Sequence, residues 1–286
     1  MNEYILFTDS TCDLSVELAK KLEVEIIPLS FMYEGKQYED GGIPYKEFYN
    51  LLREKKNITT SQINTGTFID AFEPYLDAGK DIIYIAFSSA LSGTYASAKI
   101  AEEELKAKYP DRKVRVIDSL CAAPGEGLLV YYAANKKQLG MPLEKLSDWI
   151  EQHKKKVCHW FVVDDLFHLK HGGRLSSSSA LLGSMLGIKP VLKVDNNGKL
   201  IPVEKVRGRQ ASLMALVNQM KKFATVTPED VIFIGHADAL DDANFVKDLI
   251  LKEFNVKEIV VDFLGAVVGT HAGPGTIALF FMGKER

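Results

Sequence analysis

The sequence predicts an α/β protein of two domains, the N-terminal one built on a mainly parallel βαβ sheet and the C-terminal one of mixed α/β type. Three observations predict this. The chain has 286 residues, more than one typical α/β unit, so two cores are expected. Over the first half, short β-branched and aromatic runs alternate with longer helical patterns, as in βαβ units around a parallel sheet. After Asp164 the alternation gives way to a Gly-Gly-Arg turn, a serine run from Ser176 to Ser179 and a hairpin. These changes place a boundary near Val163, giving domains 1–163 and 164–286.

In the first half the strands read Tyr4–Thr8, Val24–Leu29, Asp81–Ala86, Val114–Asp118 and Val157–Val163, each rich in residues that suit a pleated surface. The helices between them read Leu14–Lys21, Tyr45–Glu54, Thr67–Leu76, Thr94–Lys108, Gly125–Leu139 and Leu143–His153, several with turn residues or Pro at their ends. Phe31 to Asp40 reads as a small hairpin about Glu34-Gly35. In the second half, strands at Ile188–Lys193 and Lys199–Lys205 flank Asp-Asn-Asn-Gly, whose Asn and Gly tolerate the positive φ of a tight turn. A helix at Arg209–Lys222, a strand at Val231–Ile234, a helix at Asp242–Phe254 and strands at Glu258–Asp262 and Thr276–Met282 follow, with Ala266–Gly269 strand-like before the last.

A hydrophobic fraction of 47% and a charged fraction of 26% are those of an ordinary globular protein. A net charge of -3 with mixed signs makes no field that would gather nucleic acid or an anionic membrane. The N-terminus has no basic region before its short apolar run, and no stretch approaches the ~18 apolar residues of a membrane span. Cys12, Cys121 and Cys158 are odd in number and lack a CxxC spacing, which fits reduced thiols. The expectation is a soluble cytoplasmic protein without stable membrane insertion.

Phe87 to Tyr95 follows a buried strand and opens a helix, which sets Ser88, Ser89 and Ser92 at the carboxyl edge of a sheet, where ligands usually sit. Ser92 and the free amides after Gly93 could hold an anion, and equally Ser92 could simply cap the helix. Thr59-Thr-Ser-Gln62 offers hydroxyls and an amide in what reads as a polar loop; alone it reads as a turn with a cap. Thr270 to Gly275 holds His271 in a Gly-rich turn that lets backbone approach a ligand, where a hydrogen-bonded side chain without function is the commoner case. His168 with His171, and His236 with Asp238, raise a metal site, but neither spacing matches a recognised zinc motif, so no metal or cofactor is expected. Arg174 and Arg207-Gly-Arg209 put guanidinium groups beside flexible turns, able to meet phosphate, acidic partner residues or plain solvent. No Walker A or complete GxGxxG sequence is present, and no GxSxG elbow.

Thr8-Asp-Ser-Thr-Cys-Asp-Leu14, Thr60-Ser-Gln62, Ser89-Ala-Leu-Ser-Gly-Thr-Tyr95, Gly172-Gly-Arg-Leu-Ser176, Ile188-Lys-Pro190, Arg207-Gly-Arg209 and His271-Ala-Gly-Pro-Gly275 stand in one order and spacing. In that order they resemble the DegV family from the N-terminus to the last strand. Each motif is weak alone; seven in register are specific. The family is similar to the fatty-acid-binding subunits of bacterial fatty acid kinase, in which a separate ATP-dependent subunit phosphorylates the bound acid. The resemblance implies a palmitate-like ligand in an apolar tunnel between the two domains, with no catalytic residue in this chain. It implies that Thr60, Ser92 and His271 contact the carboxylate, with Ser61 and the Gly93 backbone nearby. Arg174 would lie near the ligand and Arg207 on a face that meets the kinase. The segment Asp118 to Gly127 departs from the family form at Cys121, Ala122 and Pro124, which bears on acyl-chain preference. Two further classes compete: a serine esterase or thioesterase using Ser92 and His271, and a lipid-loaded sensor docking through Arg207-Gly-Arg209.

Overall fold

The computed structural model describes residues 3–164, 166–175 and 187–286. Ser176 of the Gly172 motif and the serine run to Ser179 lie outside the described residues. The chain begins with β1 (Tyr4–Asp9), α1 (Val16–Leu22) and β2 (Val24–Ile27), then β3 (Ser30–Tyr33) and β4 (Lys36–Glu39). Next come α2 (Tyr45–Arg53), β5 (Ile58–Ser61), α3 (Thr65–Asp77), β6 (Asp81–Ala86), α4 (Thr94–Lys108) and β7 (Val114–Asp118). They are followed by α5 (Pro124–Gln138), α6 (Leu143–His153), β8 (Val157–Val162) and α7 (Phe167–His171). The chain closes with β9 (Ile188–Val194), β10 (Leu200–Arg207), α8 (Arg209–Phe223), β11 (Val231–His236), α9 (Leu240–Glu253), β12 (Glu258–Phe263), α10 (Ala266–Ala272) and β13 (Ile277–Met282).

β2, β1, β6 and β7 form a parallel four-stranded sheet in that order. Its central strand β6 is buried throughout, as a strand covered on both faces must be. The mixed second sheet runs β10-β9-β8-β13-β11-β12, parallel between β11 and β12 and antiparallel elsewhere. The architecture is therefore α/β with a mainly parallel and a mixed sheet, as the sequence predicts. Three local expectations change. Val157–Val163, read with the first-half strands, becomes β8 and pairs with β9 and β13, so sheet membership switches before residue 157. The polar loop at 59–62 is largely β5, which adds to the β3–β4 hairpin as a third, antiparallel sheet through pairs such as Phe31 with Thr60. Ala266–Gly269 is helical, the start of α10.

The hairpins form where the turn residues demand. Glu34 and Gly35 adopt φ of 48° and 77°, both in the left-handed region, between β3 and β4. Val24–Leu29 breaks at Pro28, which has no N–H for a ladder, and the chain resumes as β3. Helix α5 is buried on nearly every side, and its Leu128, Leu129 and Ala133 share one apolar cluster with Leu6 and Ile83 of the first sheet and Phe161, Phe233 and Phe280 of the second. Among the described residues no helix is long and apolar enough to cross a membrane.

Candidate functional site

Between the two sheets lies a cavity of about 210 Å³. Leu29, Phe87, Leu91, Ala122 and Ala123 line it from the first half of the chain; Phe161, Val194, Leu200, Leu264 and Phe280 line it from the second. These walls are apolar and mostly buried, whereas one stretch of the lining is polar and reaches solvent: Thr60, Ser61, Gln62, Ser92, Gly93, Arg174 and His271. An outer cleft of about 840 Å³ shares Thr60, Arg174, His271 and Ala272 with the cavity and carries Lys55, Lys56, His168 and His171 on its walls.

The polar stretch is assembled from four places in the sequence. β5 delivers Thr60, and α10 delivers His271 from its last turn; Thr60 Oγ1 and His271 Nε2 are hydrogen-bonded at 2.8 Å across 211 residues of chain. Ser92 stands at the start of α4, where its Oγ accepts from Thr94 N at 3.2 Å and bonds Thr94 Oγ1 at 2.9 Å. Ser92 thus forms a local turn ahead of the helix, whose N-cap is Gly93, and does not itself cap it; it lines the cavity. The Gln62 amide lies against Gly93, where a Cβ would push it aside, so the residue after β5 and the start of α4 are in close contact. Arg174 bridges the mouth: its Nε donates to Leu91 O at 3.0 Å and its Nη1 to Gly172 O at 2.5 Å.

The imidazole of His271 packs against Gly172, where any Cβ would meet Nδ1. Among the described residues the buried Nδ1 has no hydrogen-bond partner. Burial, then the charges of Arg174 and His168, push the His271 pKa down to about 4, so the ring is neutral at pH 7. A histidine that is neutral when folded adds stability present above its ordinary value of 6.5 and lost as pH falls through about 4. His271→Gln is expected to flatten the acid limb of the stability profile across that interval by on the order of 2 kcal/mol, read from urea unfolding at several pH values.

Thr60, Ser61, Ser92, Gly93, His271 and Arg174 all line one cavity. Arg207 does not join them: it ends β10, is exposed, and lines neither cavity nor cleft. Its neighbour Arg209 is tied inward, donating to Asp242 Oδ2 at 2.9 Å and to Gly275 O at 2.6 Å, which steadies the turn after α10. Sequence reasoning missed the apolar lining and Gln62 as a wall residue, although Gln62 stood inside a motif already singled out. His236 and Asp238 serve locally, His236 Nδ1 accepting from Ala239 N and Asp238 pairing with Arg53. Among the described residues no three His, Cys, Asp or Glu side chains gather as metal ligands.

The family model described as "Uncharacterised protein, DegV family" matches residues 4–284. The chain belongs to the DegV family. A DegV domain-containing protein of Clostridium perfringens is 43% identical over 289 residues, covering 100% of this chain and 99% of that protein. Among solved structures, a DegV family protein from Thermus thermophilus described by its fatty acid binding superposes with a TM-score of 0.90 at 29% identity, over 98% of this chain and 99% of that one. DegV of Bacillus subtilis, described as a fatty acid binding protein, superposes with a TM-score of 0.85 at 29% identity, over 99% and 100% of the two chains. The DegV resemblance drawn from the seven motifs is therefore correct, and it extends over the whole chain.

Proposed function

We propose that this DegV protein binds one long-chain fatty acid, palmitate-like, with its tail in the cavity and its carboxylate at Thr60, Ser92 and His271, Ser61 and the Gly93 backbone standing nearby. The observation that carries the reading is an apolar cavity between the sheets whose solvent-facing stretch bears a hydrogen-bonded Thr60–His271 pair. About fifteen buried methylenes contribute on the order of 12 kcal/mol before ordering costs. A carboxylate is costly to bury without several donors, and two hydroxyls with an imidazole answer that need. The solved relatives described by fatty acid binding support the same ligand class.

The chain acts as a carrier in this reading and supplies no phosphate loop of its own. It presents the carboxylate through the basic outer cleft to a separate fatty acid kinase subunit in the cytoplasm, serving lipid transport and fatty acid metabolism. Exposure of Ser61, Gln62 and Gly93 beside the cleft supports that presentation. The esterase alternative needs Ser92 activated by His271, yet among the described residues Ser92 bonds Thr94 and the imidazole bonds Thr60. Native mass spectrometry of freshly purified protein tests the reading. One stoichiometric adduct with the mass of a long-chain fatty acid is the expected result; protein that arrives empty and refuses added palmitate and oleate overturns it.

A further inference from the structure

Side chains from the first fifty residues converge on one short segment near the other end of the chain. Asp13 Oδ1 accepts from Gly265 N at 2.9 Å, and Asp40 Oδ1 accepts from Ala266 N at 2.7 Å and Val267 N at 3.4 Å. Tyr49 OH donates to Leu264 O at 2.7 Å, and Ser10 Oγ braces Asp40 by donating to its Oδ2 at 3.1 Å. A Cβ placed on Gly265 would lie 2.7 Å from Asp13 Oδ1 and 3.0 and 3.1 Å from the two Asp40 oxygens, so both carboxyl groups face the same small space. The segment opens α10, and Val267, Val268, His271 and Ala272 of that helix line the cavity. A short helix moves as a rigid rod, so whatever fixes its first residues also fixes His271 less than two turns on.

We propose that Asp13 and Asp40 are positioning residues of the head-group site, pinning the start of α10 and so setting His271 against Thr60. The proposal rests on the reading of Thr60 and His271 as head-group ligands. The charges that act on Asp13 are all acidic, those of Asp40, Asp262 and Asp9; Asp9 also acts on Asp40, and Cys12, Tyr45 and Tyr49 are the other titratable groups around the pair. Burial and the Asp40 charge raise the Asp13 carboxyl well above the usual range, and burial raises Asp40 to about 6. Among the described residues the buried Asp13 Oδ2 has no partner, which suits a proton on that oxygen, whereas Asp40 meets three donors and suits the ionised role. A carboxyl whose folded value is raised gives stability present below its ordinary 3.8 and lost as pH rises through the folded value. The latch is therefore tighter in mild acid and looser in base.

Asp40→Asn keeps an oxygen acceptor for the α10 amides and removes the charge; Asp40→Ala removes both. Each variant and the parent protein are loaded with palmitate carrying carbon-13 at its carboxyl. The bound carboxyl resonance and the exchange protection of amides 264–267 are followed from pH 5 to pH 8. Protection in the parent is expected to fall about tenfold over that range and to stay flat in Asp40→Asn. Asp40→Ala is expected to lose protection at every pH and to move the carboxyl resonance toward that of His271→Ala. Ile250→Ala, in the core under α9, lowers overall stability and is expected to leave the resonance in place. An unmoved resonance in Asp40→Ala, or the same movement in Ile250→Ala, overturns the proposal. If the parent takes up no palmitate, the fatty acid reading fails and exchange alone judges the latch, with equal protection in parent and Asp40→Ala overturning it. If Asp40→Ala does not fold, Asp13→Ala decides, because it removes the acceptor of the Gly265 amide: lost protection at amide 265 supports the latch and parent-like protection overturns it.

Discussion

Ala278→Phe is expected to lower fatty acid affinity at least about a hundredfold while leaving the melting temperature unchanged or raised. Along β13 and Thr276 just before it the side chains alternate between two environments. Thr276, Ala278 and Phe280 line the cavity, whereas Ile277, Leu279 and Phe281 enter the apolar cluster that packs with α8 and α9. A phenyl ring at 278 therefore grows into the 210 Å³ space and not into the packed core. It removes room for several methylenes at about 0.8 kcal/mol each, and filling an existing void costs the fold little. Titration with a fluorescent fatty acid, beside a thermal melt, checks both halves. Retained affinity would mean that the acyl tail lies elsewhere.

The second large effect concerns the head group. Thr60→Val and His271→Ala are each expected to weaken binding of a fatty acid by roughly thirtyfold, the loss of one hydrogen bond to a charged group. The two losses are not additive, because Thr60 Oγ1 and His271 Nε2 bond each other at 2.8 Å and either change releases the other group. The control is the fatty alcohol of equal tail length, whose binding is expected to change by less than about threefold in the same variants because it brings no charge to be satisfied. A double-mutant cycle measured with both ligands separates head-group recognition from damage to the cavity. Equal losses for acid and alcohol would mean that these residues shape the walls and do not read the carboxylate.

What the sequence determined by itself were the elements whose instructions are local. Asp81–Ala86, Val114–Asp118, Thr94–Lys108 and Leu143–His153 carry their periodicity and boundaries in adjacent residues, and the structure has them with the same limits. The DegV motifs likewise marked Thr60, Ser92 and His271, and the fold gathers all three at one cavity. The misreadings arise where the deciding partner is distant. Val267 and Val268 favour a strand by propensity, yet they become helical where Asp40, 226 residues before Ala266, accepts the amides that open α10. Thr59 and Thr60 read as loop until the hairpin of β3 and β4 offers an edge for them to pair with. Every residue of β8 is buried, so no solvent-facing side marks which sheet it joins; its pairing with β9 and β13 decides that. The apolar lining escaped for the same reason: a Phe161 or Leu264 that borders a cavity has the composition of one that fills a core, and only tertiary packing decides which space is left open.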